Sequence, residues 1–246
     1  VPVTLAHPAA VLPLGRLGLP MAALVAGSMA PDLPVFLQSW GAYGVTHSAV
    51  GVVTVDVVVA MVALVAWSVV ARDAVVDMAP DRARSRLEPW VRPTRREWLL
   101  AVPAACLGAA THVVWDAFTH PGRWGPRHVE WLHNDHAGLP GSKWLQYASG
   151  VVGLAVVAWA ALRHLRSRAP RPGPRAPRVL PPATLPAAVA GAALVGLSSG
   201  AVHAPDLHDM AYFAVVHGLI ALVVLCSVAC AAWHGVRRRR VAGADR

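Results

Sequence analysis

Residues 49–71 read AVGVVTVDVVVAMVALVAWSVVA, an apolar run whose single charged member is Asp56. Crossing ~30 Å of hydrocarbon takes about 20 helical residues, so this stretch has the length of a membrane span. A helix on the surface of a soluble core would carry a polar stripe at period 3.6, and this run carries none. Four further stretches have the same character, at 97–118, 145–163, 183–202 and 210–236. The fold class that follows is an all-α, polytopic membrane helical bundle with about five full spans. Trp98 and Trp144 fall where an indole can keep its N–H in the polar interface.

Composition and charge agree. Hydrophobic residues make up 56% of the chain and charged ones 14%, against about a quarter charged in an ordinary soluble domain. The net charge of +9 is concentrated: 18 of the 22 basic residues lie in 72–96, 163–178 and 237–246, between or after the apolar runs. That is the distribution of cytoplasmic loops under the positive-inside bias, not of a nucleic-acid surface, so no nucleic-acid partner is expected. The alternate loops, 38–48, 119–144 and 203–209, hold only Arg123, Arg127 and Lys143 and face outward. Cys106, Cys226 and Cys230 lie within apolar runs, as packing thiols do.

Ahead of the first span, 8–16 and 20–31 are two short apolar arms broken at Gly18-Leu19-Pro20. Two readings stand. One is a single irregular span from Arg16 to Phe36, leaving His7 on the cytoplasmic side. The other, preferred, is a short helical hairpin entering from the outer face, which returns Asp32 to the level of His7. Residues 166–182, rich in Arg and Pro, read as an extended cytoplasmic linker. It divides a membrane region over 1–165 from a pair of C-terminal spans and basic tail over 183–246.

The chemistry concentrates in Thr111-His112-Val-Val-Trp115-Asp116-Ala-Phe-Thr119-His120-Pro121-Gly122. His112 and Asp116, four apart on a helix, share a face one turn apart, and His120 follows where Pro121 and Gly122 end the helix. An imidazole–carboxylate–imidazole set suits zinc, manganese or iron better than magnesium or calcium, which favour all-oxygen shells. His7 before Pro8, Asp32 in Pro31-Asp32-Leu33-Pro34, and His47 in Thr46-His47-Ser48 fall at the same level on the hairpin reading. Ionisable groups at membrane depth are costly, so their convergence points to function. Asp56 lies half a turn round from His47 and reads as an interhelical hydrogen-bonding residue or a support to that cluster. The loops at 128–136 and 203–209 read as solvated, and His217 as either cavity-lining or core.

These same motifs resemble a bacterial membrane family called domain of unknown function 4184. The likeness is carried by Thr4-Leu5-Ala6-His7-Pro8, Gly27-Ser28-Met29-Ala30-Pro31-Asp32, Thr46-His47-Ser48, the His112–Gly122 stretch and Lys143-Trp144-Leu145-Gln146-Tyr147, over roughly residues 1–165. The family is in turn similar to inner-membrane proteins labelled metal-dependent hydrolases. That resemblance implies a ligand set of His7, Asp32, His47, His112 and Asp116, and a place in the bacterial plasma membrane. Leu33-Pro34 stands where a second carboxylate would follow the Pro-Asp, which speaks against a two-metal site.

The expected function is metal-dependent hydrolysis of a lipid-linked ester or phosphoester at the extracytoplasmic face. Zinc or manganese would be held there, with Asp32 or His120 as general base. The alternatives are metal-assisted ionisation or cyclisation of an isoprenoid diphosphate, and a non-enzymatic metal-binding or structural role.

Overall fold

The computed structural model describes residues 4–172, 176–203 and 206–244. Arg175 of the linker, Ala204 and Pro205 of the third outer loop, and Asp245 and Arg246 of the tail lie outside them. The chain is a helical protein. Its helices are α1 (Pro8–Val11), α2 (Met21–Met29), α3 (Leu33–Phe36), α4 (Trp40–Thr46), α5 (Ala49–Val53), α6 (Val55–Val65), α7 (Arg72–Met78) and α8 (Asp81–Arg84). Then come α9 (Arg95–Thr119), α10 (Trp124–His128), α11 (Glu130–His133), α12 (Gly141–Arg166), α13 (Thr184–His203) and α14 (Leu207–Ala244). A two-residue hairpin of β1 (Asp135–His136) and β2 (Leu139–Pro140) precedes α12.

Among the described residues, five helices are long and apolar enough to cross a membrane: Ala49–Met78, Arg95–Thr119, Gly141–Arg166, Thr184–His203 and Leu207–Gly243. They match the five apolar runs of the sequence and extend them. The first gains about two turns beyond residue 71 by passing through a π-helical segment at Ala66–Ala71 into α7. The last continues through Arg237–Arg240, because arginine is a good helix former and no proline interrupts it. Large side chains on these helices, such as Val58, Val62, Val151 and Leu197, point outward and leave more than half their area uncovered. That exposed apolar surface is what lipid would cover.

The described residues divide into two units, one within 4–64 and 93–162, the other within 65–92 and 163–244. In the first, α1 and α2 form the N-terminal hairpin anticipated above, so the single irregular span is set aside. Gly18, at φ +73°, makes the left-handed turn, and Pro20 starts α2. The arms pack through Val11, Ala23 and Leu24 onto Ala101 and Ala104 of α9. Approach of α2 to α9 is close enough that a Cβ on Gly27 would lie 2.1 Å from the Ala105 carbonyl oxygen, and one on Gly108 2.3 Å from that of Leu24. Two helices meet backbone to backbone only where the residues between them are this small. Thr94 and Glu97 form a reciprocal capping box that fixes where α9 begins.

In the second unit, α13 and α14 pack through Ala192, Gly196 and Gly200 against Ala214 and Gly218. His217 is tied by hydrogen bond to Ser199 in this pair, next to Phe213, which makes it a packing residue. A core of Ala74, Met78, Ala229, Cys230 and Trp233 holds α7 to α14. The 166–182 segment is tied down at several points: Arg178 donates to the Asp77 and Ala79 carbonyls, and the Val179 amide to Asp77 Oδ2. Asp77 also accepts from Trp233 Nε1 at 2.9 Å.

Candidate metal centre

The C-terminal half of α9 presents His112 and Asp116 inward, both essentially without exposure. Around them the first unit brings Asp32 from the turn between α2 and α3, His47 from the end of α4, and His7 from the turn before α1. One donor atom from each of Asp32, His47, His112 and Asp116 falls in a group whose members all lie within 4.8 Å of one another. No other such group occurs among the described residues.

The local structure aims these donors. Nδ1 of His112 lies 2.8 Å from the Ser28 carbonyl oxygen, and Nδ1 of His47 lies 3.1 Å from that of Tyr43. A carbonyl only accepts, so both rings carry their proton on Nδ1 and turn the Nε2 lone pair inward. The Thr4 hydroxyl donates to Asp32 Oδ2, leaving Oδ1 toward His112. The Thr46 hydroxyl donates to the Pro31 carbonyl at 2.9 Å and so links the Pro-Asp and Thr-His-Ser segments.

The spacing is wider than that of close salt bridges and fits donors arranged around one ion. Asp116 Oδ2 lies 3.3 Å from His47 Nε2 and 3.4 Å from His112 Nε2, and Asp32 Oδ1 lies 3.5 Å from His112 Nε2. Charge-assisted hydrogen bonds close to about 2.7–2.9 Å, and none of these contacts does. Donors at 2.0–2.1 Å around a tetrahedral ion stand about 3.3–3.4 Å apart, which these distances match. His47 Nε2, His112 Nε2 and Asp116 Oδ2 are moreover buried without any hydrogen-bond partner. Three converging orphan acceptors carry a large desolvation cost that a cation among them would offset. Two carboxylates and neutral imidazoles balance a divalent charge.

His7 and His120 flank this group. The His7 ring stacks on His112 at 3.7 Å, with Nε2 3.7 Å from Asp116 Oδ1, the oxygen turned away from the four-donor group. Burial, the largest cause, lowers its pKa to about 4, so the ring is neutral near pH 7. His120 is the more accessible of the pair. Its Nδ1 lies 3.4 Å from Asp116 Oδ2, and its Nε2 receives the Gln146 amide at 3.2 Å. Burial holds its pKa below the ordinary histidine value. Lys143 donates to Gln146 Oε1 at 2.9 Å, which fixes the amide's orientation.

Several contributors were not singled out as site residues from sequence. Thr4, Thr46 and Gln146 sit inside the quoted motifs, and Tyr43 lies one helical turn before His47, on whose ring it stacks at 3.9 Å. Burial, together with Asp116 and Asp32, raises the Tyr43 hydroxyl's pKa and keeps it a donor. The periodicity that pairs His112 with Asp116 would have found Tyr43; the Ser28 carbonyl has no sequence signal. The expected interhelical hydrogen bond of Asp56 is not formed: it is fully buried and neither oxygen has a partner. One turn on, Ala60 packs with Ala30 and Ala105, which offer no side-chain donor. In the 128–136 loop, His128 and His136 bond to the Trp124 and Trp131 carbonyls and stack on those rings, and neither belongs to the four-donor group.

A membrane-type helical bundle with a buried His/Asp cluster is thus the class defined by fold and site. The chain belongs to the family described as Domain of unknown function (DUF4184), which matches residues 1–234. The match runs past residue 165, so the two C-terminal spans belong to the family as well. No curated protein and no solved structure matches the chain.

Proposed function

We propose that this protein is a membrane-embedded hydrolase that holds one divalent ion, zinc or manganese, and cleaves an ester or phosphoester of an amphiphile. The observation that carries the reading is the set of three buried, unpartnered acceptors beside Asp32, with Asp116 Oδ2 at tetrahedral-edge distance from both imidazole nitrogens. A divalent ion bound there supplies a water acidified toward neutrality and a Lewis-acidic contact for the scissile group. Asp32, His47, His112 and Asp116 are the ligands. His7 packs against His112 and holds its plane.

Of the two base candidates, Asp32 is committed to the ligand group and to Thr4, so His120 takes the proton. Its Nε2 lone pair meets only the Gln146 amide, at the accessible side of the centre. In the reaction the water oxygen adds to the phosphorus or acyl carbon and its proton passes to His120. The ester bond to the leaving oxygen then breaks, and that oxygen takes the proton from His120. Trp115, half-exposed beside Asp116, suits a substrate whose head meets the centre while its tail remains in lipid. The arginine-rich segments, cytoplasmic under the positive-inside bias, support a reading in which the centre faces the extracytoplasmic side of a bacterial plasma membrane.

The test is turnover by detergent-purified protein loaded with zinc or manganese. Long-chain alkyl phosphates, carboxylic esters and prenyl diphosphates are offered to the native chain and to Asp116→Ala. Release of inorganic phosphate or carboxylate by the native protein alone supports the reading. Release of diphosphate with a prenyl alcohol or olefin would replace hydrolysis by ionisation chemistry. No product from any class overturns the enzyme reading.

A further inference from the structure

At the accessible side of the centre, two cations stand without a direct ion pair, the Asp116 carboxylate acting on Lys143 only from a distance. Lys143, half-buried at the start of α12, reaches the centre through Gln146 and His120. Arg123 lies with its guanidinium carbon 5.7 Å from the centre of the Tyr43 ring, which itself stacks on His47. Among the described residues, no carboxylate lies within ion-pair reach of either. Holding an unpaired ammonium part-buried at the edge of a bilayer is costly unless an anion completes it.

A second feature begins at the same place. A groove of about 300 Å³ runs from His7, Asp116 and Gln146 between α1 and α12. Its walls are small and apolar, with Ala6, Ala9 and Ala10 facing Gly150 and Gly153. At about 30 Å³ per methylene-sized group, it admits roughly ten chain atoms in single file. Its polar end is the metal centre, so whatever chain fills it presents a head there.

We infer that the substrate is a phosphate ester of a single-chain lipid alcohol, its phosphate held between the centre and the Lys143 and Arg123 cations and its chain laid in the Ala9–Gly153 groove. A neutral carboxylic ester would leave both cations unanswered. Lys143 and Arg123 are specificity-determining residues, binding the phosphate oxygens that the ion does not. The inference rests on the proposed metal centre and selects one of its two substrate classes.

The experiment measures binding by the full chain in neutral detergent, with metal content determined on every sample. The probes are dodecyl phosphate, inorganic phosphate and dodecyl acetate. Native protein binds dodecyl phosphate at least ten-fold more tightly than either of the others. Lys143→Gln and Arg123→Gln each keep native metal content and weaken dodecyl phosphate about ten-fold, and Lys143→Arg largely restores it. Ala10→Phe, which fills the groove, weakens dodecyl phosphate and leaves inorganic phosphate unchanged. Equal binding of dodecyl acetate and dodecyl phosphate, or native affinity in both glutamine variants, overturns the assignment of the cations. Equal binding of inorganic and dodecyl phosphate overturns that of the groove. Absence of metal from the native protein is a separate result and counts against the centre itself.

Discussion

Gly108→Ala adds one methyl group and should dismantle the centre from a distance. The new Cβ would sit 2.3 Å from the Leu24 carbonyl oxygen and 2.8 Å from the Ser28 amide nitrogen, both of them backbone atoms. Neither can rotate away, so α9 must withdraw from α2 by at least about 0.7 Å to reach a tolerable separation. The hydrogen bond from His112 to the Ser28 carbonyl, now 2.8 Å, would open to about 3.5 Å, beyond hydrogen-bonding range. His112 then loses the partner that fixes its tautomer, and its distance to Asp32 grows by a similar amount. Overpacking of this kind costs about 1–3 kcal/mol, and loss of a ligand's supporting bond about 10–100-fold in metal affinity. Gly44→Ala is the matched control, since nothing lies within 4 Å of its added Cβ in α4. There the same change should stabilise by about 0.5–1 kcal/mol. Thermal unfolding in detergent and competition for zinc with a chelating dye read both effects. Native zinc affinity in Gly108→Ala, with a midpoint at or above that of Gly44→Ala, would refute the reasoning.

Thr4→Val removes the donor to Asp32 Oδ2 and should weaken metal binding about ten-fold while leaving the fold intact, read by the same dye competition. Asp56→Asn replaces a buried carboxyl group that has no partner and should stabilise the protein by about 1 kcal/mol, read as a raised unfolding midpoint, at unchanged metal content; loss of metal would instead join Asp56 to the centre. Asp73 accepts from the Trp90 amide at 3.0 Å and from Arg92, so Asp73→Ala should destabilise by about 2 kcal/mol. Metal affinity, set in the other unit, should not move. Chelation of the native protein should lower its unfolding midpoint, and the same chelator should leave the midpoint of His112→Ala unchanged.

The spans were legible because a bilayer imposes one demand, about 20 apolar residues in a row, and the stretch from Ala49 meets it without reference to the rest of the fold. The hairpin was legible through Gly18 and Pro20, whose backbone restrictions act locally. His112 and Asp116 were paired by helical period alone. Addition of Asp32 and His47 to them needed the hairpin reading, which sets them at one level but says nothing about their distances. What stayed hidden depends on backbone meeting backbone. The close approach of Gly27 and Gly108 that brings the Ser28 carbonyl to His112 is a property of two helices, and either glycine alone reads as an ordinary small residue. Gln146 and Lys143 join His120 only after α10, α11 and the β-hairpin have returned the chain, a path no periodicity records. Asp56 shows the converse, a conspicuous residue for which folding supplies no partner.

The most direct test of the account is the metal content of detergent-purified protein, native beside His112→Ala and Asp116→Ala, after reconstitution with zinc or manganese and removal of loosely bound ions. Close to one transition-metal ion per native chain is expected, lost from both variants. Native protein with no more metal than the variants would contradict it, leaving His47, His112 and Asp116 as interhelical polar contacts.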